Sequence, residues 1–177
     1  WFDKVGDAYV ARFGHENRKK LVEDTANNTF TLSVIGGDGV STTTFHDFTQ
    51  TTKPQGLMAE RIDAYGCKTE VTGYGQLPGG GPGPWVTETQ RVEGDTKWSL
   101  LYGFYGIGNH SNRIETVTLR KQVGTAPWIE TQRASYTYYT GSDTNGSQND
   151  LQTVTTQNHD GVGWVDVSKT YYRWYRA

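Results

Sequence analysis

Apolar and polar residues alternate along most of this chain, the two-residue period of a half-buried strand. Residues 29–35, "TFTLSVI", place Phe30, Leu32 and Val34 on one face. Residues 40–48, "VSTTTFHDF", follow across a Gly-Gly-Asp-Gly turn signal, and the two segments predict a hairpin. Four more pairs read the same way. These are 57–66 with 68–74, turning at Tyr65-Gly66, and 85–94 with 97–105, turning at Gly94-Asp95. Then come 113–123 with 128–139 around "GTAP", and 150–159 with 164–175 around "DGVG". No segment sustains the 3.6-residue helical period, and the place best suited to a short helix is "HENRKKLVED", 15–24. The pattern predicts an all-β fold, a meander of successive antiparallel hairpins in a single domain over 1–177.

Two stretches interrupt the alternation. "GYGQLPGGGPGPW" (73–85) is so dense in Gly and Pro that no ladder is expected through it, which predicts a loop over 75–84. "TGSDTNGSQND" (140–150) predicts a second, polar loop. The strand pattern continues on both sides of each, so neither reads as a domain linker.

The chain also repeats itself. "WVTETQR" (85–91) returns as "WIETQR" (128–133), and "RIETVTL" (113–119) rhymes with "LQTVTTQ" (151–157). Hairpin ends rhyme as "FHDF" (45–48), "YGFY" (102–105), "YTYY" (136–139) and "YYRWY" (171–175). The unit is a strand, a Gly/Asp turn, and a second strand ending in Tyr-x-Tyr. By alternation Tyr136 and Tyr138 share a face, with Tyr139 opposite. Tyr171 and Tyr175 share a face with Arg173, with Tyr172 and Trp174 opposite. Trp85 and Trp128 open equivalent strands. These nine aromatics are the candidates for packing between repeats and for assembly. Strands left unpaired at the ends of such an array invite pairing with another copy or with more of a longer chain.

Composition sharpens this picture. Hydrophobic residues are only 34% of the chain while aromatics are 13%, so burial rests heavily on rings. Thr is abundant and Gly numbers 22, a strand-and-turn composition. Seventeen basic residues against 19 acidic ones, without a basic stripe, argue against nucleic acid as a partner. One cysteine, Cys67, excludes an internal disulfide and a Cys-based zinc site. No apolar run reaches bilayer-spanning length, so no membrane span is expected. No cofactor motif is present, and none is expected to bind.

Chemistry-bearing candidates are few. Glu88 and Glu130 are repeat-equivalent, and a facing carboxylate pair is what a compact β-jelly-roll glycoside hydrolase would need. Their places beside Arg91 and Arg133 read instead as solvent-facing positions next to opposite charges. His46-Asp47 suggests a general base, but no nucleophile motif accompanies it, and a polar strand edge is the plainer reading. Asp143, Asn145 and Asp150 are weak calcium candidates, since their spacing fails the EF-hand pattern. Trp85, Trp98, Trp128, Trp164 and Trp174 offer a second alternative, a carbohydrate-binding β-sandwich with an aromatic platform for glycans. Packing between repeats is the plainer reading of the same residues.

"RIDAYGCKTEVTGY", "TTTFHDF", "PQGLMAERIDAYG" and "ASYTYYTGSDTNGSQNDLQTV" together resemble the Rhs, or YD-repeat, family, in particular its planctomycete-type bacterial members. The resemblance runs from about residue 13 to 175. It implies a long sheet of hairpins curling into a shell, in large proteins that are secreted or displayed on the cell surface. It implies a structural role without catalytic residues, and partners that are other copies of the chain or the remainder of a longer repeat array.

Overall fold

Thirteen strands and no helix make up the described residues, which in this computed structural model are 2–6, 8–11, 18–76, 82–106 and 112–174. Contacts gather the chain into two compact units, Trp1–Gly94 and Asp95–Ala177. The first holds β1 (Phe2–Val5), β2 (Ala8–Ala11), β3 (Lys19–Asp24), β4 (Thr29–Gly36), β5 (Gly39–His46), β6 (Met58–Ile62), β7 (Lys68–Gln76) and β8 (Pro82–Glu93). The second holds β9 (Thr96–Phe104), β10 (Ile114–Val123), β11 (Ile129–Tyr138), β12 (Leu151–His159) and β13 (Trp164–Tyr171). Within each unit every strand pairs antiparallel with its sequence neighbours, so each is a meander, as the alternation predicts. All ten expected strands are present within a few residues of their expected bounds. Three shorter ones, β1 to β3, carry too little alternation to be seen in the sequence.

The segment best suited to a short helix, 15–24, forms none among its described residues. Residues 19–24 are β3, and 15–17 lie outside the described residues. The segment has one adjacent apolar pair, Leu21-Val22, which makes no helical stripe. As a strand it sets Leu21 between Tyr9 and Leu32, and Val22 beside Thr31. The loop expected over 75–84 also narrows. β7 and β8 extend their ladder to Gln76 opposite Pro82, and 77–81 lie outside the described residues. Register shifts at Val71/Gly73, Gly73/Tyr74 and Tyr74/Gln76 let this irregular ladder form. Pro82 is tolerated as the first residue of its strand. A side chain at Gly75 or Gly83 would collide with the indole of Trp85, so these glycines let Trp85 lie against the backbone.

The register sorts side chains by face. In the first unit Tyr9, Leu21, Leu32, Phe30 and Phe45 share one side, while Val22, Thr31, Thr44, Glu60 and Glu70 line the other. In the second, Leu100, Leu119, Val117, Ala134, Tyr136 and Val154 share one side. Opposite them run Thr118, Arg133, Ser135, Thr137 and Thr153. The Thr-rich composition becomes cross-strand hydroxyl pairs, such as Thr137 with Thr153 at 2.6 Å and Thr156 with Ser168 at 2.7 Å. Strand–strand packing within a unit joins sequence neighbours. Among the described residues the only buried hydrophobic ones are Val71 and Tyr139. Within each unit the described strands form one layer, and none of them lies across that layer to cover its apolar side. No helix among the described residues is long and apolar enough to cross a membrane.

Candidate functional site

At three places the chain returns to its ladder by the same backbone closure. His46 ends β5, while Tyr105 and Tyr139 stand one residue past the ends of β9 and β11. Their N–H groups donate to the carbonyls of Leu57, Arg113 and Asp150, each at 2.9 Å. Their own carbonyls accept from the N–H groups of Gly56, Asn112 and Asn149 at 2.9, 3.4 and 3.0 Å. Those three donors are left-handed, with φ of 72°, 65° and 72°. Gly and Asn occupy that region at least cost, which explains the residue types.

The side chains at these closures repeat as well. Each reaches over one strand to the next. His46 Nε2 lies 3.0 Å from the Tyr74 hydroxyl in β7, beyond β6. The Tyr105 hydroxyl donates to Tyr136 O in β11, beyond β10, at 2.8 Å. The Tyr139 hydroxyl donates to Tyr172 O, just past β13 and beyond β12, at 2.6 Å. A second set reaches back to the first carbonyl of the intervening strand. Tyr74 donates to Met58 O at 2.6 Å, Tyr138 to Ile114 O at 2.9 Å, and the Trp174 indole N–H to Leu151 O at 2.8 Å. Rings from the two sets meet edge to face, His46 with Tyr74 at 5.5 Å and Tyr105 with Tyr138 at 5.9 Å. The recurring Tyr-x-Tyr endings are therefore clamps that tie three consecutive strands.

Electrostatics keep the clamps in their donor form. Burial pushes the Tyr74 phenol up to about 12, with Glu70 adding to it. Burial raises Tyr105, helped by Glu115, and raises Tyr138 against the opposing charge of Arg113. Burial and then the Lys53 charge lower the pKa of His46, while Asp47 opposes them. A neutral His46 that donates from Nε2 to Tyr74 leaves a lone pair on Nδ1, which is buried without a hydrogen-bond partner.

The aromatics singled out in the sequence divide between roles. Tyr136, Tyr138, Tyr139, Tyr172 and Trp174 belong to the clamps, while Tyr175 lies outside the described residues. β13 ends at Tyr171, so the strand alternation expected over 171–175 does not continue beyond it, although Tyr172 N–H still donates to Gln152 O. Trp85 sits inside β8 against Gly75 and Gly83, whereas Trp128 precedes β11 beneath Arg120, whose guanidinium lies 4.5 Å from its ring centre. Arg133 covers Trp164 in the same manner at 4.4 Å. Sequence reasoning missed Tyr74 and Tyr105 as clamp members. The signal was present as Tyr in "GYG" and "YGFYG", and as the Asn of "SNR" and "QND".

The remaining candidates hold their own surroundings together. Asp47 is buried, and its carboxylate accepts from Thr49 N, Thr49 Oγ1 and Gln50 N, which caps the loop after β5 rather than engaging His46. Asp143 accepts from Thr140 N and Oγ1, and Asp150 from Ser147 N, while Asn145 O accepts from Trp174 N. The calcium candidates thus serve as loop caps. Glu88 accepts from Gln90 at 2.8 Å and belongs to the first unit, Glu130 to the second. Cys67 is half-buried, accepts from Arg91 at 3.2 Å, and follows a turn capped by Asp63. No cluster of three His, Cys, Asp or Glu side chains suited to a metal occurs among the described residues. β13 borders the second unit, and all its residues except Trp164 are exposed. Comparison with protein families, curated proteins and solved structures found no match.

Proposed function

We propose that this chain is a non-enzymatic structural module of a secreted or cell-surface protein of Rhs-like repeats, a wall of hairpins that builds a shell or fibre by pairing its edge strands. The observation that carries the reading is the repeated three-strand clamp in a sheet that buries almost no apolar residue. A domain that recognises a small molecule concentrates its specialised side chains at one concave place. Here the specialised side chains recur at successive loop closures and spend their polar atoms on backbone carbonyls. That is the economy of a repeating scaffold, in which each unit is completed by its neighbour.

The rival readings draw less support. A sugar platform needs bare ring faces, and Arg120 and Arg133 lie over Trp128 and Trp164. A jelly-roll hydrolase needs two facing sheets and a carboxylate pair. Light scattering and negative-stain imaging of the purified chain test the proposal. Assemblies larger than one chain are expected. A monomer at every concentration, together with binding in a glycan screen, would replace this reading with the carbohydrate one.

A further inference from the structure

The border strand β13 carries a pattern that is complementary to itself. Its register with β12 runs Tyr171 to Thr153, Lys169 to Thr155, Asp166 to Gln157 and Trp164 to His159. The β12 residues alternate evenly, so Trp164, Asp166, Lys169 and Tyr171 share one face. The bulge between the Thr156–Ser168 and Gln157–Asp166 pairs makes this possible, because it inserts one extra residue between Asp166 and Lys169. Along that face the strand reads aromatic, acid, bulge, base, aromatic. Tyr172 N–H donates to Gln152 O, so by alternation Lys169 and Tyr171 turn their backbone groups away from β12.

We infer that β13 pairs antiparallel with β13 of a second copy, about a two-fold axis that runs through the bulge and normal to the sheet. This rests on the edge-pairing function proposed above and names the edge, the partner and the symmetry. Such an axis keeps like faces on the same side. It sets Asp166 opposite the other copy's Lys169 and Trp164 opposite its Tyr171, each pair occurring twice. On the other face it sets Val165 opposite Thr170 and Val167 opposite Ser168. Every opposed pair is favourable or neutral, and no like charges meet. The edge is also open to a partner: Val167 is 62% and Tyr171 67% exposed. Lys169 is the strand's only basic residue, and in this pairing it meets a carboxylate instead of blocking the edge. The opposite border strand in the first unit, β1, spans only four residues.

Charge reversal tests the pairing in reducing buffer, which keeps Cys67 from forming a cross-link. The wild-type chain is expected to dimerise or form larger even-numbered species in concentration-dependent light scattering. Lys169→Asp and Asp166→Lys each turn two attractive pairs into repulsive ones, and each should weaken association about tenfold or more. The double reversal should restore it. Mixing the two single variants should also restore it, because one copy then presents two acids and the other two bases. Circular dichroism on each variant checks that the sheet is intact, and the mixing experiment gives a second readout that misfolding cannot mimic. A wild-type chain that associates equally well with either single reversal would overturn this interface while leaving assembly through another edge standing. A wild-type chain monomeric throughout would overturn both.

Discussion

The clamp at Tyr139 offers the sharpest test of what holds these strands. Tyr139 is 6% exposed, and its hydroxyl donates to Tyr172 O at 2.6 Å. Tyr139→Phe keeps the ring against Gly146 and removes only that bond. A neutral hydrogen bond contributes about 0.5–1.5 kcal/mol net, and orphaning a buried carbonyl would add to the loss. Tyr172 is 37% exposed, so water can replace the lost donor, and the cost falls in the lower part of that range, about 0.5–1 kcal/mol. In local terms this is about a two- to fivefold change in an opening equilibrium. Hydrogen exchange resolved by peptide reads it directly. Exchange should quicken by that factor across 164–174, which the bond ties down, and much less in β10. Unchanged exchange at 164–174, or an equal change in every segment, would refute the view that this hydroxyl couples β11 to the chain beyond β13.

Further expectations follow from the same closures. Asn149→Ala forces an ordinary side chain to hold φ of 72° and should cost about 1–2 kcal/mol in urea unfolding, whereas Asn149→Gly should stay within a few tenths. Gly146→Ala drives a methyl into the Tyr139 ring and should cost about 1–3 kcal/mol; in a Tyr139→Ala background most of that penalty should vanish, as a thermal-melt double-mutant cycle would reveal. His46 has a lowered pKa in the fold, so the unfolded chain takes up its proton first. Its contribution to stability is therefore whole above the unfolded value near 6.5, declines as pH falls from there to the depressed folded value, and is flat below. Urea midpoints measured from pH 7.5 to 5 should drop less in His46→Gln than in the wild-type chain.

The strands were legible because their alternation is strict where it matters. Phe30, Leu32 and Val34 in β4, and Val117 and Leu119 in β10, announce an apolar side against a polar one. The clamps were legible only as a rhyme. Reading "FHDF" against "YTYY" letter by letter sets His46 beside Thr137, yet the backbone closure sets His46 beside Tyr139. From the clamped residue to its left-handed partner the chain runs the same distance at His46–Gly56 and Tyr139–Asn149 and a shorter one at Tyr105–Asn112, and the rings at the strand ends do not fall at one fixed place before it, so the hydrogen bonds repeat while the letters do not. "ETQR" misleads in the opposite sense: Arg91 bonds Glu93 and Cys67, while Arg133 covers Trp164. The same letters there meet different neighbours, and the neighbour decides the role. β3 was hidden because Leu21 and Val22 are adjacent in sequence yet serve opposite faces of the sheet.

A clamp that skips a strand changes how such a sheet can fail. In a plain meander the outermost strand peels off alone, since it breaks only one ladder, and a crack then runs inward one row at a time. Here the chain just past β13 is also fastened to Tyr139 at the end of β11, and β11 to Tyr105 at the end of β9. Lifting one row loads the row beneath its neighbour, so the smallest piece that can leave is a hairpin. The sheet therefore gives way in pairs of strands.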